Sequence, residues 1–260
     1  MEISQLKNYL SDPFQCYVER ILRLEKSDDD PTEKYVEPIS LSELEEASFI
    51  KQAVCIENGL NKDFADVDQF FSSLTNQGNI PAGKFGDDLA KELKKRTQEI
   101  KDELDRFFPE DEYTCQTFEM NESFSDGKQV KFILQGNIPL VFISDEKCVV
   151  VEINRTSNPP ATYKYLTPYI SALALIASGK AKNVDLFIAT GSDDDKNYET
   201  NGCHIHVTTG KAKKILCNIY KRAFIDNDKK ILPIDLVCTE LSNLEKLKEK
   251  LDGDYGSWRH

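Results

Sequence analysis

The side chains of this chain that lend themselves to chemistry are few and scattered. His204 and His206 stand two apart in a β-rich run, a spacing that puts both imidazoles on one strand face and that some metal sites use, but no third ligand lies nearby in sequence. Asp193, Asp194 and Asp195 form a carboxylate run that lacks the glycine and terminal glutamate of an EF-hand calcium loop, and it reads as solvated. No GxxxxGK[ST] segment occurs, which leaves no basis for an ATPase motor. Lysines gather in two places: the helical stretch 84–101, with Lys91, Lys94 and Lys95, and the segment KAKKILCNIYKR at 211–222, with Lys211, Lys213 and Lys214. Each stretch reads equally well as an ordinary exposed helix face or as a contact to phosphate. Seven cysteines, at 16, 55, 115, 148, 203, 217 and 238, form no CxxC pair and read as small buried apolar residues in a reducing compartment.

The charge balance limits what such groups can do. A net charge of -12 and a pI near 4.9 argue against a free-standing, nonspecific DNA-binding protein, because phosphate binding needs a basic footprint. Any DNA contact must be local or shared with a partner. Apolar residues make up 40% and charged residues 30% of the 260, with both signs interspersed, the profile of a globular protein with a proper core. No apolar run approaches the ~18 residues a membrane span needs. The polar start, MEISQLK, lacks the apolar core of a secretory signal, so the expected location is cytoplasmic, with no membrane partner.

The elements that must position these groups follow from periodicity. Residues 3–24 read as a helix broken at Pro13, and the Asp-, Glu- and Pro-rich stretch 27–38 as a solvated loop. A helix over 41–60 carries a capping-box spacing, Ser42 to Glu45, and ends near Gly59; another covers 62–75. After a turn at 78–83 comes a long polar helix, 85–107, with Leu89, Leu93, Ile100 and Leu104 along one side. The period then shifts toward two. Strands are expected at 113–120, 130–141 and 148–154, the last two joined by a tight Ser-Asp-Glu-Lys turn as an antiparallel ribbon. A helix at 162–178, a buried strand at 184–189, a strand at 203–207, a helix at 211–223, a strand at 231–236 and a charged helix at 241–251 complete the chain. The fold class is α/β (α+β): a helical N-terminal half leading into a mixed central sheet flanked by helices. The expected organisation is a helical lead-in region over 1–110 and a sheet-and-helix core over 111–260.

Several stretches resemble one family. Residues 3–24 (ISQLKNYLSDPFQCYVERILRL), 37–60 (EPISLSELEEASFIKQAVCIENGL) and 78–86 (GNIPAGKFG) resemble the start of the RecC C-terminal domain. Residues 136–141 (GNIPLV) and 165–190 (YLTPYISALALIASGKAKNVDLFIAT) look like its central strand and the helix-strand unit beyond it. The resemblance implies a restriction-endonuclease-like, PD-(D/E)xK nuclease-related sheet, one compact unit excised from a larger subunit of an exodeoxyribonuclease V. It also implies RecB-like and RecD-like subunits and DNA as partners.

Active enzymes of that group place one acid on a strand and an acid-x-Lys pair on the next; the acids hold Mg²⁺ and the lysine readies the water. On the resemblance, Pro139 stands where the first Asp belongs, and Glu152-Ile153-Asn154 where acid-x-Lys belongs. The expected site is therefore degenerate, with no catalytic residue, metal or cofactor. The alternative is an active Mg²⁺-dependent exonuclease, in which Asp87, in GKFGD where related enzymes carry a His, joins Glu152 as ligand and Arg155 or Lys131 supplies the cation. The reading adopted is a non-catalytic domain that serves subunit docking and DNA strand guidance in double-strand-break repair.

Overall fold

A computed structural model of the chain describes residues 1–11, 16, 41–145, 147–154, 162–190 and 202–225. The expected elements at 13–24, 231–236 and 241–251 lie outside the described residues, as do Arg155 and the aspartates 193–195. In chain order the elements are α1 (Ile3–Ser11), α2 (Glu43–Glu57), α3 (Val67–Asn76), α4 (Lys84–Phe107), β1 (Thr114–Ser125), β2 (Lys131–Ile143), β3 (Cys148–Ile153), a 3₁₀ turn (Thr162–Tyr165), α5 (Leu166–Ala177), β4 (Val184–Ala189), β5 (Gly202–Ile205) and α6 (Thr209–Phe224). Helices precede a mixed sheet, so the α/β class expected from periodicity is the one observed. No helix among the described residues is long and apolar enough to cross a membrane.

Capping chemistry sets the helix starts. Ser42 and Glu45 form the capping box reciprocally: the Ser42 hydroxyl accepts from the Glu45 amide, and the Glu45 carboxylate accepts from the Ser42 amide at 2.8 Å. Hydrogen bonds donated to the Glu45 carboxylate by the Ser42 amide and hydroxyl hold it below its ordinary range. The next helix begins at Val67, later than the expected residue 62. The Asn61 carboxamide accepts from the Asp63 amide, and the Asp66 carboxylate accepts from the Gln69 amide at 2.7 Å, so local side-chain bonds hold 61–66 out of the helix. At the start of α4, Gly83 has φ 79 and ψ -165, a region essentially closed to residues with a Cβ.

The sheet has the order β1-β2-β3-β4-β5. β1, β2 and β3 form an antiparallel meander; β3 and β4 are parallel, joined through α5; β5 returns antiparallel to β4. The Ser-Asp-Glu-Lys turn expected between β2 and β3 is closed by Ser144, whose amide donates to the Lys147 carbonyl at 2.9 Å. β1 runs to Ser125, five residues past its expected end. Its hairpin turn is tied by Asp126, whose carboxylate accepts from the amides of Lys128, Gln129 and Val130.

Each face of the sheet has its own helical layer. Leu6 of α1, Leu173 of α5 and Leu216 of α6 meet Leu134, Ile138, Val150 and Leu186 on one face. On the other, Val54, Phe71, Leu93 and Leu104 from α2, α3 and α4 meet Phe142, Val149, Val151 and Phe187. The 162–178 helix expected from sequence divides into the 3₁₀ turn and α5, whose residues Ile170 to Ala177 are all buried.

Two glycines give opposite expectations. A Cβ at Gly86 would lie 1.6 Å from the Pro81 carbonyl oxygen, a backbone atom that cannot swing away. Gly86→Ala is expected to destabilise the chain by more than ~3 kcal/mol. Gly210, in the first turn of α6, has open space around it, so Gly210→Ala is expected to gain up to ~1 kcal/mol from helix propensity. Urea unfolding midpoints of both variants against the parent check the pair.

Candidate functional site

Glu152 is positioned by a fault in the β2 ladder. Ile138 and Val141 of β2 face the α1 layer, whereas Leu140 and Phe142 face the opposite one. A strand with strict alternation cannot do this, and the β1–β2 register shifts between Gln116 and Phe118 opposite these residues. Pro139 sits in this bulge, where its missing N–H is tolerated, and its carbonyl accepts from the Thr117 hydroxyl at 3.0 Å. The β2–β3 ladder runs from Ile143↔Cys148 to Val141↔Val150 and stops there. Continued by one alternation it would oppose Pro139 to Glu152. The two positions that the resemblance pairs thus lie across one gap in the sheet.

Helix α1 occupies that gap. The Gln135 amide donates to the Met1 carbonyl at 2.9 Å, and Glu2 forms a parallel bridge with Gln135. Gly136 permits the approach: its φ is 121, and a Cβ there would lie 2.9 Å from the Ile3 Cγ2. Lys7 follows Ile3 by one helical turn, so it shares the sheet-facing side of α1. It comes to line a cavity of about 300 Å³ together with Ser4, Asn8, Asn137, Pro139, Glu152 and Thr167.

The remaining wall comes from the other layer. Lys51 of α2 lines the same cavity and donates to Glu152 Oε1 at 2.7 Å, with side chains only 29% and 18% exposed. Burial pulls the Lys7 ammonium below its ordinary pKa; the Glu152 carboxylate opposes this effect and the Lys51 charge adds to it. Asn154 continues along β4 through its backbone, its amide donating to the Ala189 carbonyl at 2.9 Å. A Mg²⁺ site takes near-octahedral oxygen donors, usually one or two carboxylates with waters. The described lining offers one carboxylate with an ammonium already hydrogen-bonded to it, and Pro139 has no side-chain donor atom. That set does not fit the ion.

The other sequence candidates are dispersed. Asp87 is exposed in the first turn of α4 and does not line the Glu152 cavity. The stretch of α4 near the end of β3 is that of Arg96 and Glu99, which share a second cavity with Ile153; Arg96 lies about 13 Å further along the helix than Asp87. There the buried Glu103 accepts from the Thr190 amide at 2.9 Å, closing the end of β4. Lys91 is exposed, Lys94 pairs with Asp68 at 2.6 Å and Lys95 with Glu99 at 3.4 Å. Lys211, Lys213 and Lys214 are exposed on α6, which covers the opposite face of the sheet from α4, so the two lysine groups make no single patch. Lys131 opens β2, about 27 Å along the strand from Pro139.

His204 on β5 meets Asp185 of β4, Nδ1 to Oδ1 at 2.6 Å, while His206 lies past the strand end with its ring centroid 6.1 Å from that of His204. No cluster of three His, Cys, Asp or Glu able to hold a metal occurs among the described residues. Cys148 and Cys217 are buried, but Cys203 is exposed, contrary to the sequence expectation, because it lies on the edge strand β5. Burial pushes the Cys55 thiol up to about 11 and the Cys115 thiol up to about 12, which makes both poor nucleophiles.

Sequence reasoning missed Lys51 and Lys7. Each is the only basic residue of its helix, α2 and α1 respectively, and that isolation is the signal that could have marked them.

Two stability measurements test this geometry. A double-mutant cycle with Lys51→Met and Glu152→Gln is expected to give a coupling of about 1 kcal/mol. Lys7→Met is expected to stabilise the chain at neutral pH. The native ammonium titrates below 10.5, so its burial opposes folding in full below that depressed value. The unfolded chain binds the extra proton between the two values, so native stability climbs there and the advantage of Lys7→Met shrinks toward pH 10.5.

A family model for the RecC C-terminal domain matches residues 1–238. No curated protein matches the chain at a significant level. Since the matched residues contain the sheet, both helical layers and the Glu152 cavity, the chain belongs to the RecC C-terminal domain family, the family of a subunit of the RecBCD complex of DNA repair.

Proposed function

We propose that this chain is a non-catalytic, nuclease-like domain that docks RecB-like and RecD-like subunits and guides DNA strands within the complex. In this reading the helical region 1–110 and the sheet-and-helix region 111–260 act together as one unit of a larger subunit. The observation that carries the reading is the state of Glu152. It is the one carboxylate among the described residues of its cavity, and it is engaged by Lys51 at 2.7 Å.

Phosphodiester cleavage by a metal-dependent nuclease needs a cation held by converging oxygen donors and a group that readies water near neutral pH. Pro139 brings no side-chain donor, and Asn154 brings neither a titrating group nor a positive charge. Asp87 does not line this cavity. A scaffold without these elements still presents two helical layers and strand edges to partners. The overall charge of -12 suits a domain that meets DNA locally inside an assembly.

Two measurements test the proposal. Incubated with linear duplex DNA and Mn²⁺, the purified chain is expected to leave the substrate intact. Metal-dependent digestion that disappears in Glu152→Ala would overturn the non-catalytic reading in favour of an active Mg²⁺ enzyme. Binding of the isolated chain to duplex DNA is expected to be weak and to collapse by ~150 mM salt, where the screening length is only ~8 Å. Tight binding at that salt would contradict strand guidance through local contacts.

A further inference from the structure

We propose that the cavity beside Glu152 is a metal-independent binding site for one phosphate group of a DNA strand, held by the ammonium groups of Lys51 and Lys7. The inference rests on the non-catalytic reading and deepens it, by naming the atoms of the nucleic acid that the relic site touches.

The geometry points to an anion. The cavity, about 300 Å³, has room for a phosphate group with accompanying water. Its polar lining holds two ammonium groups, together with the hydroxyls of Ser4 and Thr167 and the carboxamides of Asn8 and Asn137, which can donate as well as accept, against the single carboxylate of Glu152. These donors arrive from α1, α2, β2 and α5, so they surround a ligand from several directions. A tetrahedral phosphate can use donors so distributed, whereas a planar carboxylate uses two directions. Carboxylate recognition also favours the guanidinium fork, and no arginine is among the described lining residues; lysine serves phosphate as a point charge.

The electrostatics agree. Lys51 is held at the cavity wall by Glu152, which fixes its ammonium with little further loss of side-chain freedom on binding. The burial that depresses Lys7 is unfavourable to the empty site, and an anion entering the cavity offsets it. Glu152 thus keeps a function opposite in sign to that of a metal ligand. It orients a cation belonging to the protein, and it competes with the incoming anion.

That sign makes the test decisive. The ¹⁵N-labelled chain, in EDTA at low salt, is titrated with inorganic phosphate and with the dinucleotide pTpT, reading the amides of Asn137 and Glu152. Both probes are expected to shift these amides. pTpT acting at lower concentration assigns the site to a strand; inorganic phosphate acting equally well would reduce the claim to a free-anion site and overturn the DNA assignment. Lys51→Gln should weaken binding roughly tenfold, a change of about 1.4 kcal/mol. Glu152→Gln should tighten it several-fold, since Lys51 loses its competing partner. Should Lys51→Gln lose its dispersed spectrum, Lys7→Gln reads out the same weakening. Absent shifts, shifts unchanged in the lysine variants, or binding abolished in Glu152→Gln would overturn the inference. Acetate producing the same shifts at the same concentration would also overturn it, and would assign the cavity to an acidic side chain of a partner protein. All of these outcomes are independent of the nuclease assay, whose failure would strike the non-catalytic reading itself.

Discussion

The parallel pairing of β3 with β4 is the constraint on which the rest of the structure depends. A parallel pair needs a crossover between its strands, and α5 provides it by packing across one face of the sheet. β3 and β4 carry apolar side chains on both faces, Val150 and Leu186 on one and Val149, Val151 and Phe187 on the other, so a single covering layer would leave the latter three in water. Helices α2, α3 and α4 supply the second layer. Their apolar residues and Phe142, Val149, Val151 and Phe187 of the sheet form one buried cluster.

The end of this sheet is where its regularity fails. The bulge at Pro139 shifts the phase of β2, the β2–β3 ladder stops one alternation short of Glu152, and the gap admits α1 through the space left by Gly136. Further along β2, the backbone of Gln135 is met by Met1 and Glu2. The cavity at this end of the sheet lies among three helices and two strands, and brings together Lys7 and Lys51, more than forty residues apart in the chain.

The carboxylate at this site finds its counter-charge within the protein. A carboxylate near the end of a buried strand must be hydrated, bound to a cation, or protonated. Glu152 takes the second course with the ammonium of Lys51, which ties α2 to β3. The same pair keeps a positive charge at hydrogen-bonding distance from the carboxylate.

Much of this was legible in the sequence, and the parts that were not share one physical cause. The capping box at Ser42, the antiparallel β2–β3 ribbon and the buried β4 strand all follow from patterns within a few residues, where periodicity and side-chain chemistry speak directly. The late start of α3 and the extension of β1 to Ser125 did not, because they depend on which side chains capture particular backbone amides, as Asp66 and Asp126 do. Lys51 and Lys7 stand out locally only as the lone basic residues of their helices, a signal that names no partner. Nothing near either residue in sequence indicates that a bulge in β2 will open a gap, that a glycine will let α1 into it, or that a helix on the opposite layer will reach the same carboxylate. The sequence by itself determined the local elements and the residue types at 139, 152 and 154; only the tertiary structure decided that Lys51 pairs with Glu152 and that Lys7 lines the same cavity, because a long-range ion pair is fixed by the packing of whole elements and leaves no periodic trace in the chain.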